Sequence, residues 1–125
     1  MAIKRYICDA DSTITNAFRE DLAIRGTGSN MGAADVLEVF MIYAQATTTS
    51  HEASRVLMKF PVAGSNSIIS DRTDGKIPAS GNVEFWLRVY NAEHSDSLPT
   101  SYDLRIEAVS ASWNEGFGLD MESYK

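Results

Sequence analysis

The sequence predicts an all-β domain, and three observations carry that expectation. Apolar runs are short, rich in Val, Ile, Thr, Phe and Tyr, and divided by clusters of Gly, Ser, Asn, Asp and Pro. Along residues 82–91 the alternation is clean. Val83, Phe85, Leu87 and Val89 fall on one face of an extended chain, and Glu84, Trp86, Arg88 and Tyr90 fall on the other. Leu104, Ile106 and Ala108 repeat the pattern against Asp103, Arg105 and Glu107.

Taken in order, the pattern predicts strands near 3–10, 12–15, 35–44, 54–62, 82–92 and 102–112. Loops are expected at 16–32, 45–53, 63–81 and 93–100. The longest of these carries Asp74-Gly75 and Pro78, both turn chemistry. Segment 33–44 fits two periods. Val36, Val39, Phe40 and Tyr43 make a helical stripe, while Leu37, Val39, Met41 and Tyr43 share one face of a strand. Its β-branched and aromatic content favours the strand. Alternation then places Phe85, Leu87, Val89, Leu104, Ile106, Val56, Met58 and Phe60 on the inner faces of two packed sheets.

A chain of 125 residues suits a single domain, 1–125, and no linker or repeat divides it. With 44% hydrophobic and 22% charged residues, the composition is globular and not disordered. Eleven basic against 17 acidic residues give a net charge of −6, which serves solubility and argues against nucleic acid as a partner. The single cysteine, Cys8, rules out an intrachain disulfide, and its alternation with Tyr6 and Ala10 reads as a small buried apolar residue. No apolar run reaches the roughly 18 residues needed to span a bilayer, so no membrane partner is expected. No apolar signal core follows the charged start Met1-Ala-Ile-Lys-Arg5. The expectation is a protein kept in the cytoplasm or released by lysis.

No catalytic constellation stands out. Gly26-Thr-Gly-Ser-Asn-Met-Gly32 has Met31 where the dinucleotide fingerprint needs glycine, and no Gly-Lys-Ser/Thr follows, so it reads as a turn. His51 and His94 stand alone in polar stretches, without a nucleophile motif or zinc-ligand spacing. Asp9 with Asp11, Asp71-Arg-Thr-Asp74 and Ser95-Asp-Ser97 offer hard oxygen ligands without the ordered spacing of a calcium loop. The expectation is therefore no catalytic residue, no metal site and no cofactor. Among the aromatics Trp86, Tyr90, Trp113 and Phe117, the pair Trp86 and Tyr90 is the candidate binding site. It suits either packing against another subunit or stacking on a glycan.

Five segments, in order, resemble the DNRLRE-domain family of β jelly rolls, found in bacterial surface proteins and, in related forms, in tailed-phage structural proteins. Ala10-Asp-Ser-Thr-Ile14 is similar to the family's opening strand. Asn30-Met-Gly-Ala-Ala-Asp-Val-Leu-Glu-Val39 resembles its Asn-x-Gly loop and the strand after it, which implies a strand for 33–44. Ser54-Arg-Val-Leu-Met-Lys-Phe60, Val83-Glu-Phe-Trp-Leu-Arg-Val-Tyr90 and Ser112-Trp-Asn-Glu115 resemble three later elements. The ending Trp113-Asn-Glu-Gly-Phe-Gly-Leu-Asp-Met121 is closer to the marine-phage versions.

The resemblance implies a jelly-roll β-sandwich. Family members continue for two or more strands past the Ser-Trp-x-Glu element, so the domain is expected to lack its last strands or to belong to a longer chain. The implied function is that of a non-catalytic virion protein: a decoration, tail or fibre-associated module that partners other virion subunits or copies of itself. The alternative it implies is a polysaccharide-binding module of a bacterial surface protein or carbohydrate-active enzyme, with a cell-surface glycan as partner.

Overall fold

The computed structural model describes residues 3–78, 80–81, 83–93 and 99–120. Its regular structure is a three-stranded antiparallel sheet and one short helix, in keeping with all-β character. β1 (Ala10–Thr15), β2 (Met41–Tyr43) and β3 (His51–Lys59) are ordered β1-β3-β2. The longest strand, β3, holds the centre. β1 pairs with it from Ala10 opposite Lys59 to Thr15 opposite Ser54, and β2 from Met41 opposite Ala53 to Tyr43 opposite His51. The ladders run slightly beyond these bounds, with Asp9 N–H donating to the Lys59 carbonyl at 2.9 Å and Ser54 N–H to the Phe40 carbonyl at 3.0 Å.

The β2–β3 connection shows how local chemistry fixes the sheet. Ala44 takes a left-handed φ of 59°, and its N–H closes on the Ser50 carbonyl at 2.8 Å. The Ser50 hydroxyl accepts from the N–H groups of Ala46 and Thr47, both at 3.1 Å, and donates to the Thr47 carbonyl at 2.9 Å. One serine thus satisfies a turn whose backbone groups would otherwise depend on water.

Part of the expected loop 63–81 is helical. α1 (Ile68–Thr73) starts at Ser67, whose hydroxyl accepts from Ser70 N–H at 3.1 Å while Ser70 Oγ accepts from Ser67 N–H at 2.9 Å. This reciprocal cap specifies the start, Asp71 lies in the favourable first turn and Arg72 in the last. Six residues are too few to show a helical period in the sequence.

Three expected strands are not paired: 3–10 up to its last two residues, 82–92 and 102–112. Asn82 lies outside the described residues, as does most of the expected loop 93–100. Segments 84–93 and 99–112 carry no regular secondary structure and join no ladder among the described residues. Among the described residues no sandwich core forms around them. Phe85 is 68% exposed and Ile106 75%, Leu87, Val89 and Leu104 are also exposed, and Val56, Met58 and Phe60 are half-buried. The physical reason is that no second sheet forms among the described residues: alternation sorts the side chains into faces but supplies nothing to cover either one. Segment 33–40 is likewise not a strand, although Phe40 N–H donates to Ser54 Oγ at 2.8 Å and leads the chain into β2.

The interior that does form is small and polar. Among the described residues, the buried apolar side chains are Ala17 and Met31, whereas Ser12, Thr13, Glu52, Ser67 and Asp71 are all buried. Cys8 is half-buried, its thiol directed at the carbonyls of Ala10 and Lys59. No helix among the described residues is long and apolar enough to cross a membrane.

Candidate functional site

Three places in the molecule gather side chains whose chemistry goes beyond filling space. The first is the row Glu84, Trp86, Arg88, Tyr90. A turn at Gly81, with φ of 91°, and a 2.7 Å bond from Val83 N–H to the Gly81 carbonyl lead into this stretch. Because side chains two apart share a side of an extended chain, the row interacts with itself. Trp86 Nε1–H donates to Glu84 Oε2 at 3.3 Å, and the Arg88 guanidinium sits 4.9 Å from the centre of the Tyr90 ring. Trp86 is 85% exposed and Tyr90 77%. The two predicted binding residues therefore share one open row, flanked by one carboxylate and one guanidinium. Trp113 is half-buried and Phe117 exposed, both on the later segment. Trp113 lines a cleft of about 450 Å³ together with Met58, Phe60, Val62, Ala108 and Val109.

The second place is a clamp that sequence reasoning did not foresee as a unit, although both halves were singled out as motifs. The Asn30 side chain spans the gap between the 30–33 loop and the 115–118 stretch. Its Oδ1 accepts from Gly118 N–H at 2.6 Å, and its Nδ2–H donates to the Glu115 carbonyl at 3.3 Å. Ala33 N–H adds a bond to the Gly118 carbonyl at 2.9 Å, and Glu115 Oε1 accepts from Asp11 N–H at 2.9 Å on β1. Glycine is required on both sides of this closure. A Cβ on Gly32 would collide with the Glu115 carbonyl, one on Gly118 with the Asn30 carbonyl, and one on Gly116 with the Asn30 amide. The glycine-rich stretch 26–32 is thus a turn that presents Asn30.

The third is a buried carboxylate hub. Asp71, 1% exposed, receives the Lys4 ammonium at 2.8 Å and the Tyr6 hydroxyl at 2.8 Å on Oδ2, with the Lys76 ammonium 3.1 Å from Oδ1. The hydrogen bond from Lys4, then that from Tyr6, hold its carboxyl at about 2, against burial, which pulls the other way. Burial first and the bond to Asp71 second push the Tyr6 phenol up. Asp74 and then Asp71 push the Lys76 ammonium up. The hub ties the N-terminal segment to α1, and its oxygens already face two cations.

No family model, curated protein or solved structure matches this chain. The remaining sequence candidates for chemistry are dispersed. His51 is exposed at the start of β3, His94 and Ser95–Ser97 lie outside the described residues, and no three His, Cys, Asp or Glu side chains converge among the described ones. Clamp and hub hold the chain to itself. The open row Glu84–Tyr90 faces outward, and what it offers is an aromatic surface with one charge of each sign.

Proposed function

We propose that this chain is a non-catalytic structural module of a virion, a decoration, tail or fibre-associated subunit that acts by assembling with other subunits and in surface attachment. The observation that carries the assembly reading is the surface left uncovered. The chain exposes 10387 Å² at a mass of 13.7 kDa. A folded monomer of that mass is expected to expose about 6,600 Å², so roughly 3,800 Å² per chain is in excess, several times the about 800 Å² that a standard interface takes from each partner. Much of it is apolar. Twenty-two large apolar side chains are exposed among the described residues, most densely on 36–43, 83–90 and 102–109. The virion context and the jelly-roll form rest on the ordered resemblance of five segments to the DNRLRE-domain family. In that reading segments 84–93 and 99–112 complete the sandwich on assembly.

The test is composition and state together. Mass spectrometry of purified particles should find the chain in fixed stoichiometry, and sedimentation of the isolated chain should show association at micromolar concentration. A particle assembled normally without it, or a chain that stays monomeric with its surface open, would overturn the reading.

One observation favours a second reading, a polysaccharide-binding module. Exposed Trp86 and Tyr90, flanked by Glu84 and Arg88, combine ring faces with hydrogen-bonding groups in the manner of a sugar platform. Binding to a panel of bacterial surface glycans that Trp86→Ala abolishes would establish it, and absence of any glycan signal would remove it.

A further inference from the structure

The assembly reading leaves the partner of segment 83–89 unnamed, and the segment itself supplies the identification. It belongs to no regular element, its Trp86–Glu84 and Arg88–Tyr90 contacts join side chains two apart as along an extended chain, and among the described residues its backbone makes no hydrogen bond beyond the Val83 N–H turn contact. Unpaired N–H and C=O groups along an extended, apolar stretch form a template for another strand. The question is which strand would fit both faces at once.

We propose that the occupant is the same segment of a second copy, paired antiparallel about a two-fold axis at Trp86. An isologous contact must be self-complementary, and this sequence is. With the axis at Trp86, Val83 faces Val89 of the second copy and Phe85 faces Leu87, so one side of the ribbon is wholly apolar. On the other side Glu84 faces Arg88, and the Trp86 side chains meet across the axis. Each interface thus carries two opposite-charge pairs, one apolar face and one aromatic contact, the kinds of cross-strand pair that stabilise antiparallel ribbons. Moving the axis to Arg88 would set two guanidinium groups opposite each other. Moving it by half a residue would place Phe85 opposite Arg88 or Trp86 and mix the faces. Most of the excess exposed surface lies outside this ribbon, which leaves room for other subunits to cover 99–112.

This pairing rests on the assembly reading but names a register, so charge reversal tests it separately. In the full chain, Glu84→Arg or Arg88→Glu turns both opposite-charge pairs into like-charge pairs and should raise the dimer Kd about tenfold or more at low salt. The double reversal Glu84→Arg/Arg88→Glu should restore it to within about threefold. Both positions are exposed in the single chain, and far-UV circular dichroism should confirm unchanged folding. In a Cys8→Ser background, an oxidised equimolar mixture of Glu84→Cys and Arg88→Cys chains should yield a disulfide-linked dimer, and either chain alone should not.

A dimer that ignores the charge reversals, or a mixture that forms no cross-link, overturns the register. A chain that is monomeric at about 100 µM overturns the pairing. If such a monomer is still recovered in particles, the assembly reading survives and only the self-pairing is lost. If the chain dimerises in this register but is absent from particles, the pairing stands and the virion reading falls.

Discussion

Replacing Asn30 with alanine removes both ends of the one side chain that joins the 30–33 loop to the 115–118 stretch. The amide oxygen is lost to Gly118 N–H, a 2.6 Å bond, and the amide nitrogen to the Glu115 carbonyl, at 3.3 Å. Each hydrogen bond of this kind contributes about 1 kcal/mol net, and a part-buried N–H left without a partner costs more than its share. The expected loss is about 2–3 kcal/mol. Urea denaturation followed by Trp113 fluorescence in a Trp86→Phe background is the suitable assay, because Trp113 lies just ahead of the clamped residues and is half-buried. The midpoint should fall with an unchanged slope, since the same surface is exposed on unfolding. Gly118→Ala should do similar damage for the opposite reason, because its methyl would overlap the Asn30 carbonyl. If Asn30→Ala stays within about 0.5 kcal/mol of its parent, at the level of an ordinary surface substitution, the clamp holds nothing and the reasoning fails.

Two further outcomes follow from the same structure. The Asp71 carboxyl titrates at about 2 when folded, below its ordinary value of 3.8, so its contribution to stability is fully present above that value and is lost as pH falls towards 2. The urea midpoint should therefore decline between about pH 4 and pH 2, and Asp71→Asn should remove that part of the decline, whereas an Asp71→Asn profile parallel to wild type would refute the assignment. Phe85→Ala should cost less than about 1 kcal/mol in dilute monomer, where the ring is 68% exposed, but should weaken self-association measurably, and equal effects at low and high protein concentration would contradict a buried role in assembly.

What the sequence revealed was local and what it concealed was relational. The strand character of Ala10–Thr15 and of most of His51–Lys59 is legible because β-branched and apolar residues recur there at the right period. The turn nature of Gly26–Gly32 is legible because Met31 replaces the third glycine of the dinucleotide fingerprint and no Gly-Lys-Ser/Thr follows. α1 was hidden because a six-residue helix is specified by its cap, Ser67 with Ser70, and not by periodicity. The hub was hidden for a different reason. Lys4, Tyr6, Asp71 and Lys76 are spread over most of the first 76 residues, and nothing local marks Asp71 out from Asp74, which remains half open to solvent. Trp86 and Tyr90 were legible as a pair because alternation alone places them in one row.

The failure of the expected core is more informative than these successes. Phe85, Leu87, Val89, Leu104 and Ile106 obey strand alternation in sequence, yet the chain leaves them open and buries Thr13, Glu52 and Asp71 instead. Burying polar groups is tolerable only where bonds replace water, and the structure meets that condition at one atom or more of each of three sites, while Glu52 Oε1 is left without a partner among the described residues. Thr13 Oγ1 accepts from Glu38 N–H at 3.0 Å, Glu52 Oε2 from Phe18 N–H at 2.8 Å, and Asp71 from Lys4 and Tyr6. Such bonds fix geometry but contribute about 1 kcal/mol each, whereas roughly 3,800 Å² of excess surface, if even half of it is apolar, represents tens of kcal/mol of unrealised burial. Unrealised burial outweighs the hydrogen bonds by an order of magnitude, so it decides where the chain's stability comes from. Under the proposed assembly reading, a chain whose hydrogen-bonded centre sets its shape while its apolar alternation faces outward would gain most of its stability on meeting its partners.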